Sequence, residues 1–180
     1  QLDAVRIMQS IAPGKDVDGF GWLNLGALVA GRPRFVPGTP RAVMTILEHA
    51  GIPIEGRNAV VIGRSNIVGK PMALMLIQHG ATVTVCNSRT QDLADFTRRA
   101  DILVVAAGRA GLVSGDMAKT GAAVARPLGT ARARRCDSRA VLSCVSVSTI
   151  SSVLSGTSSS CAGSSDAGHR STWSRRAYYR

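Results

Sequence analysis

The sequence predicts an α/β fold, an incomplete doubly wound parallel sheet followed by an irregular C-terminal tail. Three observations carry this prediction. Short valine-rich runs alternate with segments of helical periodicity between residues 39 and 124. The first of these runs ends in a glycine loop that leads directly into an apolar, helix-like segment. After Val124 both patterns stop.

"TPRAVMTILEHAG" opens on Thr39 and Pro40, a helix-start signal, carries Val43, Ile46 and Leu47 on one face, and stops at Gly51. "NAVVIG", "ATVTVC" and "DILVVAAG" have the composition of strands buried on both faces. Between them, "VGKPMALMLIQHG" and "TQDLADFTRRA" read as helices. The resulting β-α-β-α-β order is that of a doubly wound sheet. "GDMAKTGAAV" then reads as a short helix, a glycine stop and the beginning of a fourth strand. Residues 125–180 hold fourteen serines and nine arginines, with neither lysine nor glutamate. Only "CVSVSTI" alternates like a strand there, and a segment so poor in large apolar residues is expected to be disordered. The chain thus divides into a leading segment and linker (1–38), the sheet domain (39–124) and the tail (125–180).

The 180 residues, 45% of them hydrophobic, suffice for one good core. The formal charge of +11 is concentrated in the tail, where two aspartates face nine arginines. No membrane span and no secretory signal are evident, so a soluble cytoplasmic protein is expected. The chain starts at Gln1 rather than Met and reads as a fragment or a processed product. Cys86, Cys136, Cys144 and Cys161 form no CxxC pair, and no histidine stands at zinc-site spacing from them. Neither a metal site nor a disulfide framework is predicted.

The loop "VVIGRSNIVGKP" spans Val60 to Pro71. It fits neither G-x-G-x-x-G nor the G-x-x-x-x-G-K-[ST] of magnesium-nucleotide sites: five residues separate Gly63 from Gly69, and Pro71 follows Lys70. A glycine at a strand end and a helix start nevertheless suit a phosphate, because backbone can approach the ligand and the helix offers free N–H groups. A tight turn without a ligand is the alternative. NAD-preferring enzymes put an acid after the second strand to hold the ribose 2′-hydroxyl. Here that position reads "CNSRT", with Ser88 and Arg89 and no acid, and Arg64 lies in the first loop. This set suits a 2′-phosphate, hence NADP.

"KDVDGF", "PGTPRAV", "GRNAVVIGRSNIVGKPMA", "VTVCNSRT" and "ADILVVAAGRAGLVSGDMAKTGAAV" together resemble the methylenetetrahydrofolate dehydrogenase/cyclohydrolase family, from about Asp3 to Val124. The resemblance implies a Rossmann-like NADP-binding domain. It also implies a bifunctional folate enzyme of one-carbon metabolism and purine biosynthesis. Such an enzyme oxidises 5,10-methylenetetrahydrofolate with NADP and hydrolyses the methenyl product to 10-formyltetrahydrofolate. By the same resemblance Gly63, Arg64 and Ser65 form the cofactor loop, Ser88 meets the 2′-phosphate, Val68 and Thr39 are further cofactor contacts, and Asp18 hydrogen-bonds the folate ring. The family's catalytic lysine precedes this chain, so no catalytic residue is assigned within it, and residues 1–38 correspond to the remnant of a folate domain. A homodimer is the family's usual assembly. The family's "DVGIN" and "PVPGGVGPMT" segments do not occur after Val124. The tail therefore reads as out of frame, and the chain as an inactive fragment.

A second reading is an NADP-fold binding protein whose basic tail contacts nucleic acid through its arginines and through Trp173, Tyr178 and Tyr179. The tail arginines form no helical stripe, so nucleic acid is the less favoured partner. The encoding DNA, read in its other frames past Val124, separates the two readings.

Overall fold

The computed structural model describes residues 3–109 and 111–126. Its centre is a four-stranded, fully parallel sheet in the order β2-β1-β3-β4, built from β1 (Asn58–Ile62), β2 (Thr82–Cys86), β3 (Ile102–Val105) and β4 (Ala123–Ala125). Strand order reverses between β1 and β3, both of which follow helical connections. The predicted doubly wound sheet is therefore present.

Five α-helices accompany the sheet among the described residues: α1 (Ala4–Ser10), α2 (Trp22–Val29), α3 (Gly38–His49), α4 (Gly69–Gln78) and α5 (Leu93–Thr97). Successive residues of β1 and β3 point to opposite faces, and both faces are covered. Ala59, Val61, Ile102 and Val104 pack with Val43, Met44 and Leu47 of α3 and Met72 and Leu76 of α4. Val60, Ile62, Leu103 and Val105 pack on the other side with Cys86 and Ala100, flanked by Leu93 of α5. Valine-rich continuity is thus explained for these two strands.

β2 departs from the expectation of burial on both faces. Thr82 and Val85 are exposed, because β2 is the edge of the sheet and only its Cys86 end is buried. The core continues across the limits drawn from the sequence. Leu28 of α2, only 1% exposed, belongs to the same core as α3 and α4, and the Gln78 side chain donates to the Leu28 carbonyl. The limit at 38/39 falls inside α3 and is no packing boundary. At the other end, Ala125 is buried and pairs with Val104, so β4 crosses the limit at 124/125. The expectations for the tail beyond Arg126 lie outside the described residues. None of the described helices is long and apolar enough to cross a membrane.

Asp101 ties three strands together at their leading ends. Its carboxylate accepts the Asn58 N–H (3.0 Å) and the Lys119 ammonium (2.6 Å), its own N–H donates to the Asn58 carbonyl, and its carbonyl accepts the Ala123 N–H. The bond from Lys119, helped by that from Asn58, holds the Asp101 carboxyl below its ordinary range. A depressed folded-state value stabilises the fold above the unfolded value of about 4, and this contribution disappears as pH falls through the folded value. Asp101→Asn is accordingly expected to cost about 1–2 kcal/mol at pH 7 and to flatten the acid-side loss of stability. Urea unfolding at pH 7 and at pH 3 checks this; an unchanged pH dependence in the variant would refute the clamp.

Candidate functional site

The β1 strand ends at Ile62, and the chain then turns over the top of the sheet through Gly63. This glycine has φ +127, and a Cβ there would come within 2.6 Å of the Ala106 carbonyl oxygen at the end of β3. Gly69, which opens α4, is closer still: a Cβ would overlap the carbonyl group of Gly63 itself. Both glycines are therefore required for the loop to fold back on itself. The Gly63 N–H donates to the Cys86 carbonyl and the Ala106 N–H to the Ile62 carbonyl, which fixes the three strand ends as one platform.

Ser65 organises the rest of the loop. Its hydroxyl oxygen accepts the N–H groups of Val68 (3.1 Å) and Gly69 (3.3 Å), and its carbonyl accepts the Lys70 N–H. That is capping of a helix start from three residues upstream. The hydroxyl proton stays available to donate. The N–H groups of Arg64 and Ser65 have no acceptor among the described residues, as befits a loop that receives an anion. Pro71 fits the first turn of α4, where its missing N–H costs nothing.

After β2 a second small loop is built by Asn87. Its side-chain oxygen accepts the Arg89 N–H, its carbonyl accepts the Thr90 N–H, and its own N–H donates to the Thr90 hydroxyl. This side-chain-supported turn raises Ser88 and Arg89 at its tip. Cys86, directly below, is buried, and burial pushes its thiol up, away from nucleophilic use.

The two loops and the end of β3 enclose an open cleft of about 280 Å³, lined by Ile62, Gly63, Arg64, Ser65, Asn87, Ser88, Leu93, Ala106, Ala107, Arg109 and Leu112. It sits over the carboxyl ends of β2, β1 and β3 and includes the switch point between β1 and β3, where open α/β sheets bind ligands. Among the described residues no acidic side chain lines it.

The signature of the tetrahydrofolate dehydrogenase/cyclohydrolase NAD(P)-binding domain matches residues 37–157. The chain belongs to this family. Its match runs past the change of composition at Val124, where recognisable motifs end. The chain is similar to the bifunctional protein FolD of Nitrosospira multiformis (60% identity) and of Polynucleobacter asymbioticus (59%), each over 123 residues, 68% of this chain and 43% of the relative. Among solved structures, it is similar to the FolD methylenetetrahydrofolate dehydrogenase/cyclohydrolase of Campylobacter jejuni, with 48% identity, a TM-score of 0.66, and 68% of this chain and 44% of that one covered. It also resembles the Trypanosoma brucei enzyme solved with NADP cofactor and inhibitor, with 43% identity, a TM-score of 0.65, and 69% and 43% covered. The chain therefore spans less than half the length of these relatives.

Within this tetrahydrofolate dehydrogenase/cyclohydrolase domain, four of the sequence-predicted cofactor residues meet in the cleft: Gly63, Arg64, Ser65 and Ser88. Two do not line it. Val68 stands at the start of α4 with its N–H bonded to Ser65, and Thr39 lies in the first turn of α3. The sequence reading left out Asn87, Arg109 and the apolar walls formed by Leu93 and Leu112. The "CNSRT" run held the signal for Asn87, a residue type that builds such turns. Arg109 lay unremarked in the glycine-flanked "GRAG".

Asp18 does not line the cleft either. It stands in the turn of "KDVDGF", exposed and without a hydrogen-bond or ion-pair partner among the described residues. The aspartate that builds this turn is Asp16. Its carboxylate accepts the N–H groups of Phe20 (3.1 Å) and Gly21 (2.8 Å) and the Asn24 side-chain amide (2.6 Å), and its carbonyl accepts the Gly19 N–H. Burial pushes the Asp16 carboxyl up, but the bonds from Asn24 and from the Gly21, Phe20 and Gly19 N–H groups outweigh it and hold it below the ordinary range. Among the described residues no cluster of metal-ligating side chains occurs.

Proposed function

We propose that this chain is the nucleotide-binding part of an NADP-dependent methylenetetrahydrofolate dehydrogenase/cyclohydrolase, and that it contributes Asp18 to the folate side of the active site. The observation that carries the cofactor reading is the meeting of Arg64 and Ser88 in one cleft whose described lining holds no acid. A 2′-phosphate is repelled by the acid that NAD-preferring sites carry, and is held by a guanidinium and a hydroxyl. The cofactor also fits the cradle: glycines at both ends let the loop from Gly63 to Gly69 fold tightly on itself, and its Arg64 and Ser65 N–H groups stay free for an anion.

NADP, when bound, supplies the hydride acceptor. The task of this chain's residues is to bind and orient it. The free N–H groups of Arg64 and Ser65 take phosphate oxygens, Arg64 and Ser88 fix the adenosine end, and the apolar Leu93 and Leu112 exclude water from one wall. The exposed Asp18 accepts N–H bonds from the folate ring, while Asp16 keeps the turn rigid beneath it. The support for Asp18 is that the turn needs Asp16 and leaves Asp18 uncommitted. A homodimer is part of the same proposal, by family resemblance alone.

The test is cofactor choice. Charge-assisted hydrogen bonds contribute about 1.5–3 kcal/mol each, so Arg64→Ala should weaken NADP by roughly 10- to 150-fold. NAD affinity should stay within about twofold of the parent chain. Calorimetric titration with both nucleotides reads the difference; equal losses for NADP and NAD remove Arg64 from the 2′-phosphate.

A further inference from the structure

Arg109 has no role in the turn chemistry of the cleft, and no resemblance assigns it one. It follows β3 in the run Ala106-Ala107-Gly108-Arg109, is exposed, and lines the same cleft as Arg64. Neither arginine belongs to an ion pair among the described residues. Sheet order separates Arg109 from Ser88, with β1 and its Arg64 loop between them. The β2 end, with Asn87 and Ser88, lies on one side of β1, and the β3 end, with Ala106, Ala107 and Arg109, lies on the other.

We propose that Arg109 is a second phosphate-binding cation of this cleft, placed on the diphosphate side of the nucleotide, so that it sets affinity for NADP and NAD alike and takes no part in choosing between them. The inference rests on the dinucleotide reading above. In an open α/β sheet, the diphosphate lies at the switch point and the first helix start, which here is the β1–β3 side of the cleft. The position after β2 addresses the adenosine ribose instead. A ligand that reaches both therefore brings its 2′-phosphate to Ser88 and its diphosphate towards Arg109. A guanidinium presents paired N–H donors to phosphate oxygens, and no acid among the described lining residues competes for Arg109.

The 180-residue chain is titrated calorimetrically with NADP, NAD and 2′-AMP, which carries the 2′-phosphate without the diphosphate. Arg109→Gln is expected to weaken NADP and NAD by the same factor, roughly 10-fold or more, and to leave 2′-AMP unchanged. Arg109→Lys, which keeps the charge and loses the paired geometry, is expected to recover part of the affinity. A loss confined to NADP and 2′-AMP places Arg109 at the 2′-phosphate and overturns the proposal, and no loss at all marks a solvated surface arginine and overturns it too. If the parent chain binds NAD as tightly as NADP, the 2′-phosphate reading fails, whereas Arg109 is still judged by NAD. A parent chain that binds neither dinucleotide overturns both.

Discussion

Gly69→Ala is expected to abolish nucleotide binding and to lower stability by about 1–3 kcal/mol, the cost of forcing extra atoms into a filled site. The added Cβ has no free volume, since its position overlaps the carbonyl of Gly63, a backbone group that cannot rotate away. Relief requires α4 to withdraw from the end of β1. That withdrawal breaks the bonds from the Val68 and Gly69 N–H groups to the Ser65 hydroxyl, and it moves the loop whose free N–H groups are proposed above to take phosphate. Gly26→Ala provides the control. Gly26 lies within α2 with nothing inside 4 Å of its added Cβ, so alanine there should be neutral or stabilising by about 0.5–1 kcal/mol. Thermal unfolding and NADP titration on the two variants suffice. A Gly69→Ala chain that binds NADP within about threefold of the parent would show that the loop can open without consequence.

The contrast between these glycines also shows what the sequence could and could not disclose. Gly63 and Gly69 were legible as a phosphate-type turn, because a strand end, a glycine pair and a helix start follow one another without a break. That the two glycines meet each other was not legible, since a five-residue separation says nothing of how the loop folds back. β1 and β3 were read correctly as doubly covered strands. β2 has the same kind of local pattern and is an edge, since exposure depends on which strands flank it. Leu28 is not legible as core, since α2 also carries the exposed Leu23 and composition alone does not say which leucine α3 and α4 close over. Arg109 was passed over because a charged residue between glycines is ordinary on a solvated loop. Only the strand order puts it across the cleft from Ser88.

The two aspartates of "KDVDGF" should respond in opposite ways. Asp16→Ala leaves the N–H groups of Phe20 and Gly21 and the Asn24 amide without their acceptor at a largely buried site, at an expected cost of about 2–4 kcal/mol. Because the folded-state carboxyl titrates below its ordinary range, this stabilisation is present above the unfolded value of about 4 and is lost as pH falls through the folded value. The Asp16→Ala deficit should therefore shrink in acid. Asp18→Ala breaks no bond among the described residues, so its unfolding midpoint at pH 7 should match that of the parent. Asp18 should instead matter to folate. In a chimera that carries a curated relative's segments both upstream of this chain and in place of residues 125–180, Asp18→Ala should lower methylenetetrahydrofolate turnover while NADP affinity is unchanged. The turn geometry gives this contrast its force: the carboxylate that holds the loop is buried, and the one two residues later is exposed. An Asp18→Ala chimera that is less stable but turns over folate normally would exchange the two roles and return Asp18 to the scaffold.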